Sequence, residues 1–276
     1  MELKNKLIVI TGASQGLGRS IAWEFAEAST DLILLARDKK KLITLEYEIK
    51  KRLPSVSVKV YVADVSKKEQ IKTVFNKVKK DFKNRQIFGV VNNAGHSVPG
   101  LFQETSLNVH DESISVNYSG SLYMTQIFLP LIENGGFITF VSSVLGYMGV
   151  YGYSTYAPAK FALLGLAEVL KQELFEKNIY INILCPADTD TPGYKVENKT
   201  KPYETAKLSE KAKLMSPEEV ARKYMKNLKK KKYMIFANFE SLIMYRLSHL
   251  MPALKINILI LMIKQIRRKG ILQRKR

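Results

Sequence analysis

A single cysteine, Cys185, and three histidines, His96, His110 and His249, are spread through 276 residues. One cysteine excludes an internal disulfide framework and fits a reducing or cytosol-facing location. The scattered histidines and the cysteine form no ligand set with zinc spacing, so no metal site is expected. The opening residues Met1–Lys6 are mostly polar and run straight into a strand, without an apolar leader core or cleavage site. Neither a secretory signal nor an N-terminal anchor is therefore expected. Acidic residues are also scarce, 25 against 44 Lys and Arg, for a net charge of +19. A surplus that large points to an anionic partner: nucleic acid, anionic lipid or a phosphorylated cofactor.

Hydrophobic residues make up 46% of the chain, ample for a large core. Short apolar runs, Lys6–Thr11, Leu32–Ala36, Val56–Ala63, Phe88–Asn92, Phe137–Ser142 and Ile179–Leu184, read as strands. Between them lie segments of helical period, among them Gly16–Ala28, Lys67–Phe82, Val109–Ile132 and Ala157–Glu176. Such alternation predicts an α/β fold, a single Rossmann-type domain with a doubly wound parallel sheet flanked by helices. Residues 186–215 lack an apolar period and read as a binding loop or lid. Ser216-Pro217-Glu218-Glu219 restarts a helix with a capping signature, and Tyr233–Ala237 reads as a last strand.

Between the first strand and first helix stands Thr11-Gly12-Ala13-Ser14-Gln15-Gly16-Leu17-Gly18. Its glycines allow a tight turn and close approach of backbone amides to a pyrophosphate, and the helix directs its positive end there. Gly12, Ser14, Gln15, Gly16, Leu17 and Gly18 are thus candidate coenzyme contacts. After the second strand, an acidic residue would bond a ribose hydroxyl; Ala36 and Arg37 stand there instead. Arg37 suits a 2′-phosphate, favouring NADPH over NADH. Asp64 ends the third strand, where it either reaches the adenine together with Val65 or caps the turn through Val65-Ser66.

Further motifs follow in order. Asn92-Asn93-Ala94-Gly95 closes the fourth strand, Asn117 lies in Val116-Asn117-Tyr118, and Ser143 precedes Tyr156 by 13 positions, with Lys160 four further on. This series resembles the short-chain dehydrogenase/reductase family over about residues 5–237. The resemblance implies catalytic roles for Asn117, Ser143, Tyr156 and Lys160, and coenzyme contacts from Asn93, Ala94 and Gly95. It also implies that Thr189 and Thr191 meet the nicotinamide carboxamide, that Lys160 and Tyr156 hold the nicotinamide end, and that Asn117 positions a water.

The chemistry agrees with these residue types. A carbonyl receiving hydride develops negative charge on oxygen and needs a positioned proton donor. A free phenol titrates near ~10, so an adjacent ammonium is expected to make Tyr156 a competent acid. Positions i and i+4 place Tyr156 and Lys160 on one helix face, and Ser143 hydrogen-bonds the substrate oxygen. Two departures stand out. Pro158 falls between Tyr156 and Lys160, tolerable if the helix begins close by. Pro186-Ala187 replaces a frequent Pro-Gly.

Asp188–Thr205 and the Phe140–Tyr156 flank resemble the branch of the family that reduces 3-ketosphinganine to sphinganine with NADPH. That implies a lipophilic keto substrate; another lipophilic ketone or aldehyde (steroid, retinoid or 3-oxoacyl) is the alternative, and a non-catalytic NADPH-binding scaffold a weaker one. Residues 1–238 then form the reductase domain and 239–276 a tail with nine basic residues and one acid, Glu240. Its apolar runs, Leu247–Leu254 and Ile256–Ile263, are broken by Lys255, Pro252 and Asn257, well short of the ~20 residues needed to cross a bilayer. Followed by Lys264–Lys269, they suggest a segment lying on an anionic membrane surface with the catalytic domain facing the cytoplasm, at the endoplasmic reticulum in a eukaryote or the inner membrane in a bacterium. Packing on the domain or a homo-oligomer contact are the other uses. Nucleic acid is not an expected partner, because stacking aromatics are nearly absent beyond Tyr245.

Overall fold

The computed structural model describes residues 1–274 apart from Asn84 and Lys211. Strand β1 (Leu7–Thr11) is buried at all five positions, so both of its faces must be covered. Alternate residues satisfy opposite sides. Ile8 and Ile10, with Leu32 and Leu34 of β2 (Asp31–Ala36), face a core built with Phe25 and Leu45. These two belong to α1 (Gly16–Glu27) and α2 (Lys39–Arg52). Leu7, Val9, Ile33 and Leu35 face the opposite core, where Val74 lies on α3 (Lys68–Asp81).

The remaining strands are β3 (Val58–Val62), β4 (Ile87–Asn92), β5 (Ile132–Val141), β6 (Tyr180–Cys185) and β7 (Met234–Phe236). All seven pair in parallel in the order β3-β2-β1-β4-β5-β6-β7. The chain runs outward from β1 to β3 and then crosses back to β4. This reversal leaves a crevice beyond the carboxyl ends of β1 and β4, where ligands bind in such sheets.

Two regions, Val109–Ile132 and 186–215, differ from the sequence reading, whereas Pro158 meets its stated condition. Val109–Ile132 is not one helix. It divides into α4 (Leu107–Ile114), a π-helical turn over Ser115–Ser119, α5 (Gly120–Phe128) and a short 3₁₀ turn. Asn117 supplies a physical reason: its side-chain amide donates to Ser113 O at 3.0 Å, competing for the carbonyl four residues back. Pro158 sits in the first turn of α6 (Ala157–Glu173), where no helical N–H is lost. The expected loop at 186–215 contains α7 (Pro192–Glu197) and α8 (Tyr203–Ser209). Thr191 caps α7 by accepting from Tyr194 N at 3.1 Å. Six- and seven-residue helices are too short to display an apolar period.

After α9 (Pro217–Lys229), capped by Ser216 as expected, the tail folds into α10 (Phe239–Leu250) and α11 (Pro252–Arg274). Pro252 opens α11, whereas Asn257 does not interrupt it. The two helices bend by 118°, and among the described residues no single helix is long and apolar enough to cross a membrane, although the bent pair together has that composition. The tail packs on the domain. Tyr147 Oη donates to Ser241 O at 2.8 Å, and Arg267 bonds Glu204 at 2.6 Å and Tyr151 Oη at 2.8 Å. Lys275 and Arg276, counted with the basic tail, lie outside the described residues.

Candidate active site

A cavity of about 860 Å³ opens at the crevice. Its dinucleotide end is built by the β1–α1 turn. Gly12 adopts φ +64°, and a methyl there would lie 2.8 Å from Ala94 Cα. The turn is tied to the end of β4, where Thr11 Oγ1 accepts from the amides of both Asn93 and Ala94 at 3.0 Å. Asn93 Nδ2 returns to Thr11 O at 2.9 Å. Among the described residues no side chain caps the first turn of α1, so its N–H groups remain available to an anion.

Ser14, Gln15, Gly16, Leu17, Gly18, Val65, Gly95, Thr189 and Thr191 all line this cavity. Arg37 is exposed at its rim and makes no ion pair among the described residues. Asp38, next to it in sequence, is committed to capping α2 through Lys41 N at 3.1 Å. Lys41, not singled out in the sequence, also lines the cavity and donates to Gln15 at 2.7 Å. These features fit a dinucleotide with a 2′-phosphate: two cations, a displaced carboxylate and a glycine cradle. Asp64 caps the following turn, accepting from Ser66 N at 3.0 Å and Ser66 Oγ at 2.8 Å while still facing the cavity. Burial opposes its ionisation, but the Ser66 hydrogen bonds and the Arg37 and Lys67 charges outweigh that and hold its carboxyl low.

Ser143, Tyr156 and Lys160 converge on the other end. Ser143 follows β5 and opens a 3₁₀ turn, its hydroxyl accepting from Leu145 N at 3.1 Å. Tyr156 is the residue preceding α6, and Lys160 lies one turn later, almost fully buried. Lys160 Nζ donates to Val141 O at 2.9 Å. Burial pushes the Lys160 pKa down to about 8, partly offset by Cys185. The expectation that Lys160 lowers the Tyr156 phenol is not met here. Burial raises the phenol first, the Glu197 and Asp188 carboxylates raise it further, and only the Ser143 hydrogen bond lowers it. The ammonium is held by the β5 carbonyl and stands over the Tyr156 ring, 5.4 Å from its centre.

Asn117 does not line the cavity. It is wholly buried behind it, with Nδ2 donating to His96 O at 2.9 Å and Oδ1 accepting from His96 N at 3.2 Å. It thereby fastens the chain after Gly95. His96, read in the sequence only as one of three scattered histidines, faces the cavity; its Nδ1 is buried without a partner among the described residues. Burial lowers its pKa, opposed in part by Glu112 at 3.7 Å. No signal in the sequence distinguished it.

The substrate side was the least visible beforehand. Met148, Val150, Met244 of α10 and Leu259 and Met262 of α11 supply apolar lining. Tail residues therefore complete the pocket. The bend at Met251–Pro252 lets Leu259 and Met262 of α11 join Met244 of α10 there, and the sequence signals the break but not its direction.

This fold and this placement of Ser, Tyr and Lys define a class of oxidoreductase. The short chain dehydrogenase family profile matches residues 6–202, and the chain belongs to that family. It is similar to a 3-ketodihydrosphingosine reductase of Dictyostelium discoideum, 36% identical over 250 residues, covering 85% of this chain and 75% of that protein. A 3-dehydrosphinganine reductase of Danio rerio is 38% identical over 232 residues, covering 82% and 69%. Among solved structures, a short-chain dehydrogenase from Sphingobium yanoikuyae in complex with NADPH has a TM-score of 0.74 at 25% identity, covering 85% of this chain and 88% of its own.

Proposed function

We propose that this enzyme reduces 3-ketosphinganine to sphinganine with NADPH at a membrane surface. The observation that carries the chemistry is the meeting of Ser143, Tyr156 and Lys160 in a cavity whose far end carries Arg37 and Lys41. The names of the similar proteins and the apolar lining of the pocket support the substrate.

The reduced coenzyme, when bound, supplies the hydride to the carbonyl carbon. Gly12–Gly18 would hold its pyrophosphate, Arg37 its 2′-phosphate, Asp64 and Val65 its adenine, and Asn93, Ala94 and Gly95 its central part. Lys160 with Thr189 and Thr191 would hold the nicotinamide end. Ser143 Oγ orients the substrate oxygen. Tyr156 Oη delivers the proton, which a raised phenol still does because an alkoxide is far more basic than a phenolate. Asn117 acts by positioning, holding His96 and the end of β4 so that the wall beside Lys160 stays fixed.

The membrane part of the reading rests on the tail. Leu250 at the end of α10 and Leu254, Ile256, Ile258 and Leu261 of α11 are exposed, and Lys264, Arg268 and Lys269 follow on α11. Exposed apolar residues beside basic ones suit the interface of an anionic leaflet, with the domain on the cytoplasmic side. The same α11 contributes Leu259 and Met262 to the pocket, so an acyl chain leaving that leaflet would pass directly to the site.

The test is NADPH oxidation by the purified protein on addition of 3-ketosphinganine in detergent. No turnover by folded, NADPH-bound enzyme would reject the substrate. Turnover of steroid, retinoid or 3-oxoacyl ketones instead would favour the alternative.

A further inference from the structure

The substrate end of the cavity contains charged groups that the reduction of a simple ketone does not use. Asp188 and Glu197 line the same cavity as Tyr156, whose ring centre lies 6.4 Å from that of Tyr153, and both charges raise the Tyr156 phenol. Each carboxylate accepts a hydrogen bond from a different tyrosine hydroxyl. Tyr153 donates to Glu197 at 2.6 Å, and Tyr194 donates to Asp188 at 3.2 Å.

The two carboxylates are not equivalent. Glu197 is paired with Lys201 at 3.3 Å, and the Lys201 side chain is only 1% exposed. Lys201 is further fixed by Ser209 at 3.2 Å and lies 4.2 Å from the centre of the Tyr194 ring. Asp188 has a hydroxyl partner but no cation among the described residues. The group therefore carries one negative charge in excess, placed on Asp188, in a half-buried pocket beside the proton donor.

We propose that Asp188 is the specificity-determining carboxylate for a cationic amino group on the carbon next to the substrate carbonyl. The inference rests on the proposed reading, since 3-ketosphinganine carries its amine at that carbon. Charge complementarity is the argument. An ammonium brings the Asp188–Glu197–Lys201 group to neutrality, whereas a ketone without it leaves Asp188 desolvated and unpaired. A second consequence concerns rate. Both carboxylates oppose the negative charge that Tyr156 acquires on giving up its proton. A bound ammonium offsets that opposition, so the amine contributes to kcat as well as to KM.

The experiment compares 3-ketosphinganine with the same long-chain hydroxyketone lacking the amine, using full-length enzyme with NADPH. Wild type should favour the aminoketone by at least about 100-fold in kcat/KM, since a site built for a polar substrate group rejects the analogue lacking it. Asp188→Asn should remove most of that preference, while Asp188→Glu restores part of it. NADPH binding by fluorescence should stay unchanged in both variants, reporting intact folding. Equal losses on the two ketones in Asp188→Asn, or a wild type without preference, would overturn the inference and leave the substrate reading standing. Loss of preference in Glu197→Gln but not in Asp188→Asn would overturn the assignment to Asp188. Turnover of neither ketone would reject the substrate reading and the inference with it.

Discussion

Lys160 Nζ lies 5.4 Å from the centre of the Tyr156 ring while donating to Val141 O at 2.9 Å, so the ammonium is anchored on β5 rather than on the phenol. Because burial lowers its pKa to about 8, the free enzyme should lose the charged form as pH rises through that value. We expect kcat/KM to fall along an alkaline limb near pH 8. A profile flat to pH 10 would contradict it. Stability runs the other way. Between about 8 and the ordinary 10.5, the unfolded chain holds a proton that the folded chain has released. Wild type should therefore gain stability relative to Lys160→Met across that window, by at most about 3 kcal/mol. Denaturant midpoints at several pH values measure this.

Tyr156→Phe should lower kcat by about 10³-fold, within the range for a positioned acid, with little change in NADPH affinity. Ser143→Ala should cost about 10²-fold by removing one hydrogen bond to the developing oxyanion. Steady-state kinetics beside fluorescence titration separate chemistry from binding. A Tyr156→Phe enzyme retaining a tenth of wild-type kcat would remove Tyr156 from its role.

Arg37→Glu should raise the KM for NADPH at least about tenfold and leave the KM for NADH unchanged or lower. Arg37 is exposed at the cavity rim, so folding should not be affected. A parallel loss with both coenzymes would show that Arg37 does not read the phosphate.

Removing 239–276 is not a clean test of membrane binding, because it also strips Met244, Leu259 and Met262 from the pocket and Ser241 from Tyr147. Leu254→Asp with Leu261→Asp is better, since both residues are exposed. This double variant should lose most sedimentation with anionic liposomes while retaining NADPH binding. Undiminished sedimentation would refute docking through this face.

Thr139, Asn182 and Tyr224 form a buried polar cluster, with Thr139 Oγ1 at 2.9 Å from Asn182 Oδ1 and 2.6 Å from Tyr224 Oη. Tyr224→Phe should cost about 1–2 kcal/mol, the usual penalty for leaving a buried partner short of a hydrogen bond. Urea unfolding with an unchanged m-value would report it; no change in midpoint would show that Thr139 needs only Asn182.

The sequence by itself determined the parallel sheet, because strands apolar at nearly every position have no soluble alternative to cover on both faces. It also determined the glycine turn, Arg37, Ser143, Tyr156 and Lys160, whose chemistry depends on short spacings along one element or its end. Only the tertiary structure decided the rest. That Asn117 turns to His96, that Lys160 Nζ bonds Val141 while standing over the Tyr156 ring, and that Asp188 has no cation among the described residues all depend on the approach of different segments of the chain. The tail shows this most clearly. Its composition marked it as apolar and basic, but only the fold, through Tyr147, Tyr151 and Glu204, sets α10 and α11 over the pocket. Local propensity fixes the elements, while the direction of a side chain or a bend is set by the neighbours it meets.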